Sequence, residues 1–298
     1  DSPRRYVPLT SDWTFHKGDV PGAEKTTFDD SRWRTVSVPH DWSIEGPYSE
    51  QWASGTGYLP GGIGWYRKTF QLDAEANGKS VFVEFDGIYC NSEVWINGYS
   101  LGKRPYGYIS FVYDLTPHIR YNGDDNVLAV RVDHSDYADS RWYTGSGIYR
   151  PARLCITDKV RIAAWGVYVT TPQVSTDQAE IRIETTIDNL DAAQRPIDLT
   201  SYILNPDNLV VAKVSHTGAV IDAHGQKTYI QTARITDPQR WSVHSPVLYT
   251  VLSVLETDGR KLDQVRTPFG IRTFRFDPNK GFFLNGESMK IKGDCVHH

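Results

Sequence analysis

Short apolar or alternating runs set between turn dipeptides fill most of this chain, and no stretch carries a convincing 3.6-residue amphipathic period. That pattern predicts an all-β protein. An early set of strand-like runs covers residues 81–85, 93–96 and 127–132. Asn97-Gly98, directly after Val94-Trp95-Ile96, predicts a hairpin because both residues accept a positive φ, and residues 99–101 should return along the next strand. A later set covers residues 164–170, 179–187, 198–204, 209–214, 228–235 and 248–255, with turns at Asn205-Pro206-Asp207 and Asp258-Gly259. This regular spacing predicts a sandwich of about seven strands. The division between the two sets falls near residues 157–161, after Tyr149-Arg150-Pro151. A third change comes at 272–279, after which residues 281–284, the turn Asn285-Gly286 and residues 289–292 read as a hairpin. The expected parts are therefore residues 1–158, 159–275 and 276–298, and the last, stopping a few residues into a new strand, is expected to open a further domain. No short internal repeat or low-complexity segment is visible.

Composition narrows the classes. A chain of 298 residues predicts about two domains. With 39% apolar and 23% charged residues, it is neither disordered, collagen-like nor a coiled coil. A net charge of -4 sets up no strong field toward nucleic acid or anionic lipid, so neither is an expected partner. The longest mostly apolar stretch, residues 162–169, is far short of the roughly 20 residues that a membrane-spanning helix needs. Cys90, Cys155 and Cys295 are too few and too far apart for a disulfide framework and read as buried thiols. The chain starts at Asp1 without an apolar leader, which reads as a processed end or an expression boundary. Its 9 Trp, 17 Tyr and 11 Phe change the picture more: aromatic faces stack on the C–H faces of sugar rings as readily as they fill cores.

A series of motifs runs through the chain in fixed order: Val38-Pro39-His40-Asp41-Trp42, Gly62-Ile63-Gly64-Trp65-Tyr66-Arg67-Lys68, Phe85-Asp86-Gly87, Val94-Trp95-Ile96-Asn97-Gly98 and residues 102–108. Ser140-Arg141-Trp142-Tyr143, Gly147-Ile148-Tyr149-Arg150, residues 241–249, Phe269-Gly270-Ile271-Arg272 and Lys290-Ile291-Lys292-Gly293 follow. In this order they resemble the N-terminal part of family 2 glycoside hydrolases, the β-galactosidase branch above all, over nearly the whole chain. The resemblance implies a jelly-roll, galactose-binding-like sandwich, then an immunoglobulin-like β-sandwich, then a catalytic (β/α)8 barrel whose first hairpin and strand lie at the C-terminus. Active sites of such barrels sit at the C-terminal ends of the strands, which would place His297 and His298 at the catalytic face. The implied reaction is retaining hydrolysis of a terminal β-glycoside by two carboxyl groups about 5 to 5.5 Å apart. In the family both are barrel glutamates, the acid/base following an asparagine, and no asparagine here is followed by Glu. The chain alone is therefore expected to be inactive and its parent active. Implied partners are terminal β-galactosides or related glycans and the chain's own C-terminal catalytic barrel, with room for a homo-oligomer. No cofactor is required, a structural calcium or sodium is left open, and a bacterial periplasmic or secreted location is expected.

The resemblance also implies that jelly-roll loops complete the substrate pocket. Arg141, Trp142 and Tyr143 combine a planar donor fork suited to adjacent hydroxyls with stacking rings; the alternative is a packing motif with the arginine paired internally. A relative branch places a sodium-holding acidic residue near this segment, where this chain has Arg141, so no sodium dependence is expected. His40-Asp41-Trp42 is a second candidate, with the Asp41 carboxylate beside the Trp42 ring, its alternative being a strand-end turn packed under the sandwich. His297 is implied to line the pocket; with Cys295 it makes a Cys-x-His pair too small for a zinc site. Trp65, Tyr66 and Trp95 read as packing, and Gly61, Gly62, Gly102 and Gly107 as turn residues rather than a phosphate cradle. Three functions remain: the non-catalytic part of an exo-β-galactosidase, the same part of a β-glucuronidase or β-mannosidase, and a stand-alone carbohydrate-binding module. The strand begun at Gly293 argues against the last.

Overall fold

The computed structural model describes residues 3–294. Continuous apolar runs become strands buried on both faces, as in residues 80–85, where every side chain is buried. Alternating runs become strands with one wet face, as in residues 178–189. The only helical pieces among the described residues are three short 3-10 turns, so they contain no (β/α)8 barrel, and no helix is long and apolar enough to cross a membrane.

One compact unit runs from Arg5 to Ile156. Its strands are β1 (Arg5–Pro8), β2 (Trp13–Lys17), β3 (Arg34–Val36), β4 (Gly62–Phe70), β5 (Ser80–Phe85), β6 (Ser92–Ile96), β7 (Tyr99–Arg104), β8 (Phe111–Asp114), β9 (Asn126–His134) and β10 (Ala152–Thr157). They form a six-stranded sheet, ordered β3-β2-β4-β9-β6-β7, and a four-stranded sheet, ordered β1-β10-β5-β8. The expected hairpin is present: Asn97 and Gly98 have φ of 51° and 84°, and Ile96 pairs with Tyr99. The core of this unit is aromatic, with Trp13, Phe15, Trp42, Tyr66 and Phe85 almost wholly buried. Gly64 lets it close, because a Cβ there would lie 2.7 Å from the Trp42 ring.

The second unit comprises residues 157–294 and takes in Arg4. Its strands are β11 (Val160–Val174), β12 (Gln178–Asn189), β13 (Arg195–Leu204), β14 (Val210–Ile221), β15 (Gln226–Thr236), β16 (Tyr249–Thr257) and β17 (Arg260–Phe269). They form a three-stranded sheet, β11-β12-β15, and a four-stranded sheet, β14-β13-β16-β17. Alternate residues of β12 (Ile181, Ile183, Ile187) and of β13 (Ile197, Leu199, Ile203) fill the core between them. A small sheet of β18 (Phe274–Asp277), β19 (Gly281–Leu284) and β20 (Glu287–Ser288) follows.

Two expectations need correction. The second arm of the last hairpin was expected at residues 289–292, but β20 is only residues 287–288, with Met289 N–H donating to the Phe282 carbonyl beyond it. The two-residue turn at Asn285-Gly286 forces pairing to begin at Glu287. β17 was not expected as a strand. It lies at a sheet edge and buries only Leu262, Asp263 and Phe269, so polar residues mask its alternation.

One buried ion pair stands out in the second unit. Asp263, wholly buried, accepts from Arg4 Nε at 3.0 Å and Nη2 at 2.7 Å and from the backbone N–H groups of Ile162 and Gln264. Removing one partner of a buried ion pair costs about 3–5 kcal/mol. Asp263→Ala is therefore expected to lower the unfolding free energy of this unit, read from urea denaturation, by an amount of that order, whereas a loss below about 1 kcal/mol would show that the pair adds nothing.

Candidate functional site

Four connections of the first unit converge: residues 37–61 between β3 and β4, 86–91 between β5 and β6, 105–110 between β7 and β8, and 135–151 between β9 and β10. None holds a strand of its own, so their backbone polar groups need other partners. Backbone bonds supply part: Tyr89 and Gly147 exchange both N–H···O bonds, His40 N–H donates to Ile148, and Trp42 N–H donates to Ser146. Gly147 permits the approach, because a Cβ there would lie 2.1 Å from the Tyr66 hydroxyl.

Side chains supply the rest. Asp41 Oδ1 accepts from the backbone N–H of Ser43 at 2.9 Å and of Ser146 at 2.8 Å, and Oδ2 accepts from the Tyr143 hydroxyl. Burial, reinforced by the Asp41 carboxylate, pushes the Tyr143 hydroxyl well above the usual phenol range. Ser43 Oγ donates to the Pro60 carbonyl at 2.8 Å and contacts Ser146 Oγ at 2.5 Å, which in turn lies 2.6 Å from His134 Nδ1. His134 Nε2 faces Asp139 Oδ2 at 3.2 Å, and the same oxygen accepts from the Tyr89 hydroxyl at 2.6 Å. Tyr89 packs on Tyr108 with ring centroids 5.2 Å apart, and the Tyr108 hydroxyl accepts from the Trp142 indole at 2.9 Å. Burial, with Asp139 adding to it, pushes the Cys90 thiol up to about 12 and leaves it un-ionised at neutral pH.

The predicted residues separate into two groups. Asp41 and Tyr143 are bonded to each other, and Trp142 and Arg141 stand next to them on the surface. Trp142 is 41% exposed, while Arg141 is exposed and pairs with no carboxylate among the described residues. Trp42 points the other way: it is 1% exposed, stacks on Phe15 at 5.7 Å and donates its indole N–H to Gly61, so it has no open face for a sugar. His297 and His298, with Cys295, lie outside the described residues. Trp65 and Tyr66 are buried, and Trp95 stacks on Trp65 at 5.4 Å. Cys90 and Cys155 are buried and form no disulfide. Among the described residues no group of three or more His, Cys, Asp or Glu is arranged to hold a metal ion.

Sequence reasoning missed His134, Asp139, Tyr89 and Ser146. The signal available was the polar run 133–140, sandwiched between a buried strand and the Arg-Trp-Tyr motif. His40 belongs to the second candidate, His40-Asp41-Trp42. Its Nδ1 meets the Tyr66 hydroxyl at 2.7 Å and its Nε2 meets Glu45 at 3.1 Å, and burial holds the ring below the ordinary imidazole value although Glu45 opposes that.

Two β-sandwiches follow one another along the chain, and comparison with known families identifies both. Residues 8–158 match the sugar binding domain of glycosyl hydrolases family 2, and residues 160–272 match a second family 2 domain. The chain belongs to glycosyl hydrolases family 2. It is 44% identical over its whole length to the β-galactosidase BoGH2A of Bacteroides ovatus, of which it covers 35%. It is 37% identical to a putative β-glucuronidase of Formosa agariphila, across 97% of this chain and 27% of that protein. A crystal structure of a family 2 member from Bacteroides cellulosilyticus superposes with a TM-score of 0.92 at 37% identity, over 99% of this chain and 39% of the other. The chain thus spans about a third of the length of these relatives.

Asp41 is the acceptor on which residues 43, 143 and 146 converge, and its removal strands two backbone donors and a hydroxyl. Asp41→Ala is expected to cost about 1–3 kcal/mol, read as a lower urea midpoint at unchanged slope. An unchanged midpoint would mean that these loops are held by other contacts.

Proposed function

We propose that this chain is the non-catalytic, N-terminal two-sandwich part of a retaining exo-β-galactosidase, in which residues 135–147 help to shape the rim of the sugar pocket. The observation that carries the reading is the pairing of an exposed, unengaged Arg141 with a braced Trp142 on a loop locked from beneath. A guanidinium fork donates to vicinal hydroxyls, and an indole or phenol ring covers the apolar face of a hexopyranose. Tyr106 and Tyr108, 64% and 37% exposed, extend the aromatic surface. A β-galactosidase relative that is 44% identical over the whole of this chain supports the same branch.

The reaction itself would need two carboxyl groups set about 5 to 5.5 Å apart on a (β/α)8 barrel, one protonating the leaving oxygen and the other attacking the anomeric carbon. Phe274 and Phe276, 62% and 71% exposed on β18, offer an apolar face that such a further domain would cover. A β-glucuronidase is the second reading, favoured by the Formosa relative and by Arg141, whose fork suits a sugar carboxylate as well as hydroxyls.

The test is hydrolysis of nitrophenyl β-galactoside, β-glucuronide and β-mannoside by the full-length enzyme, with the 298-residue chain assayed beside it. Turnover of the galactoside alone by the full-length enzyme, and none by the chain, is expected; preferential turnover of the glucuronide would select the second reading. Arg141→Ala is expected to raise KM about tenfold or more with a smaller change in kcat, as loss of a hydrogen bond between charged and neutral groups does. Unchanged KM would remove Arg141 from the pocket.

A further inference from the structure

Beside β2 and β3 lies a cavity of about 430 Å³ lined by Lys17, Arg32, Trp33, Arg34, Trp42 and Glu45 among others, with no residue of the loop 135–147 in its walls. Strand register explains its make-up. Phe15 of β2 pairs with Arg34 of β3, and one position on, the rings of His16 and Trp33 stack at 5.4 Å, so the two segments still run side by side. Lys17 and Arg32 come next on these segments, and both line the cavity. At its base Phe15 and Trp42 stack at 5.7 Å, and the Arg34 guanidinium lies 5.0 Å from the Phe15 ring centroid.

Lys17, Arg32 and Arg34 thus share the cavity with one carboxylate, that of Glu45. Glu45 is already engaged: it forms an ion pair with Arg34, and its other oxygen meets His40 Nε2 at 3.1 Å. Among the described residues, neither the Lys17 nor the Arg32 side chain has an ion-pair or hydrogen-bond partner. Asp29 feels Arg32 only through space. Partial burial holds the Lys17 ammonium below the usual lysine value, although Glu45 opposes that. Two uncommitted cations in one cavity favour an anion that meets both. A bare anion fits poorly, because Glu45 repels it and because the cavity is of the size that holds organic ligands, about 300–1,000 Å³. A sugar acid meets both sides of the cavity. Its carboxylate pairs with Lys17 and Arg32, and its hydroxyls donate to Glu45, each of whose oxygens keeps a further lone-pair site. The enclosing residues 8–158 match a sugar binding domain, which favours the same ligand class.

We infer that this cavity is a binding site for an acidic sugar, a uronate residue of a glycan, with Lys17 and Arg32 as the carboxylate contacts and Glu45 as the acceptor of sugar hydroxyls. Arg34, seated on the Phe15 ring, holds Glu45 in place. The ligand class is a glycan that carries uronate residues, whichever sugar is hydrolysed. The inference goes beyond the reading given under Proposed function and needs neither Arg141 nor Trp142.

The test is calorimetric titration of the full-length enzyme with galacturonate and, separately, with inorganic phosphate. A galacturonate-binding event is expected that weakens at least about tenfold when Lys17→Met and Arg32→Met are combined, as loss of hydrogen bonds to charged groups does. Galacturonate binding that is the same in enzyme and double variant would overturn the inference. Glu45→Gln keeps the shape and the acceptor oxygen but removes the negative charge, so it is expected to tighten galacturonate by about threefold or more. Such a gain does not arise from unfolding, and unchanged or weaker binding would contradict the arrangement. Phosphate is expected to bind more weakly than galacturonate; equal binding would mark a site for bare anions and overturn the sugar assignment. Failure of the galactosidase reading shows elsewhere, in the preference among nitrophenyl glycosides and in the KM of Arg141→Ala.

Discussion

Residues 135–151 have no strand or helix of their own, and the Asp41 carboxylate and the His134 imidazole join backbone bonds from residues 40, 42, 86 and 89 in holding them. Asp41 draws residues 43, 143 and 146 to a single point. His134 ties residue 146 back to residue 139 across the loop's base. Everything exposed on that loop inherits its geometry from these two anchors. Because His134 is buried and Asp41 half-buried, the arrangement is specific: a polar network screened from water and satisfied within itself fixes one conformation, whereas one missing partner costs more than a lost surface contact. Gly64 and Gly147 serve the same end, since any larger residue would separate the loop from the aromatic core on which it is seated.

The strands were legible where the sequence pattern matched the sheet's chemistry. Residues 81–85, 93–96, 127–132 and the alternating runs from 179 onward coincide with β5, β6, β9 and the strands of the second sandwich. The turns Asn97-Gly98, Asp258-Gly259 and Asn285-Gly286 all hold positive φ at both residues, as their composition demands. Strands at edges were harder. β1, β3 and β17 are half-exposed, and their residues answer to water as much as to the core. β2 was hidden differently, its aromatic residues showing no clear alternation, whereas Trp65 and Tyr66 of β4 read as core strand residues and are buried in one.

The candidate site was legible by residue type and illegible by direction. Arg141, Trp142 and Tyr143 do share one surface loop, yet Asp41 and Trp42, adjacent in sequence, face opposite ways: one braces the loop and the other fills the core. Neighbouring residues in an irregular turn have no period from which to read a face. His134, Asp139 and Tyr89 were out of reach for a related reason. Their roles exist only because the β5–β6 and β9–β10 connections meet in space, and no spacing along the chain encodes that meeting.

The resulting division of labour is plain: the buried and half-buried polar groups fix the loop, and Arg141 is left exposed on it. Such preorganisation lowers the ordering cost of binding, so recognition of a small, strongly hydrated ligand becomes feasible. The most direct measurement is a crystal structure of the full-length enzyme with galactose bound. Arg141 should donate to a sugar hydroxyl at about 2.7–3.2 Å, with the Trp142 or Tyr108 ring against the sugar face. Galactose bound in the enzyme with Arg141 and Trp142 both remote from it would contradict the assignment of this loop to the pocket.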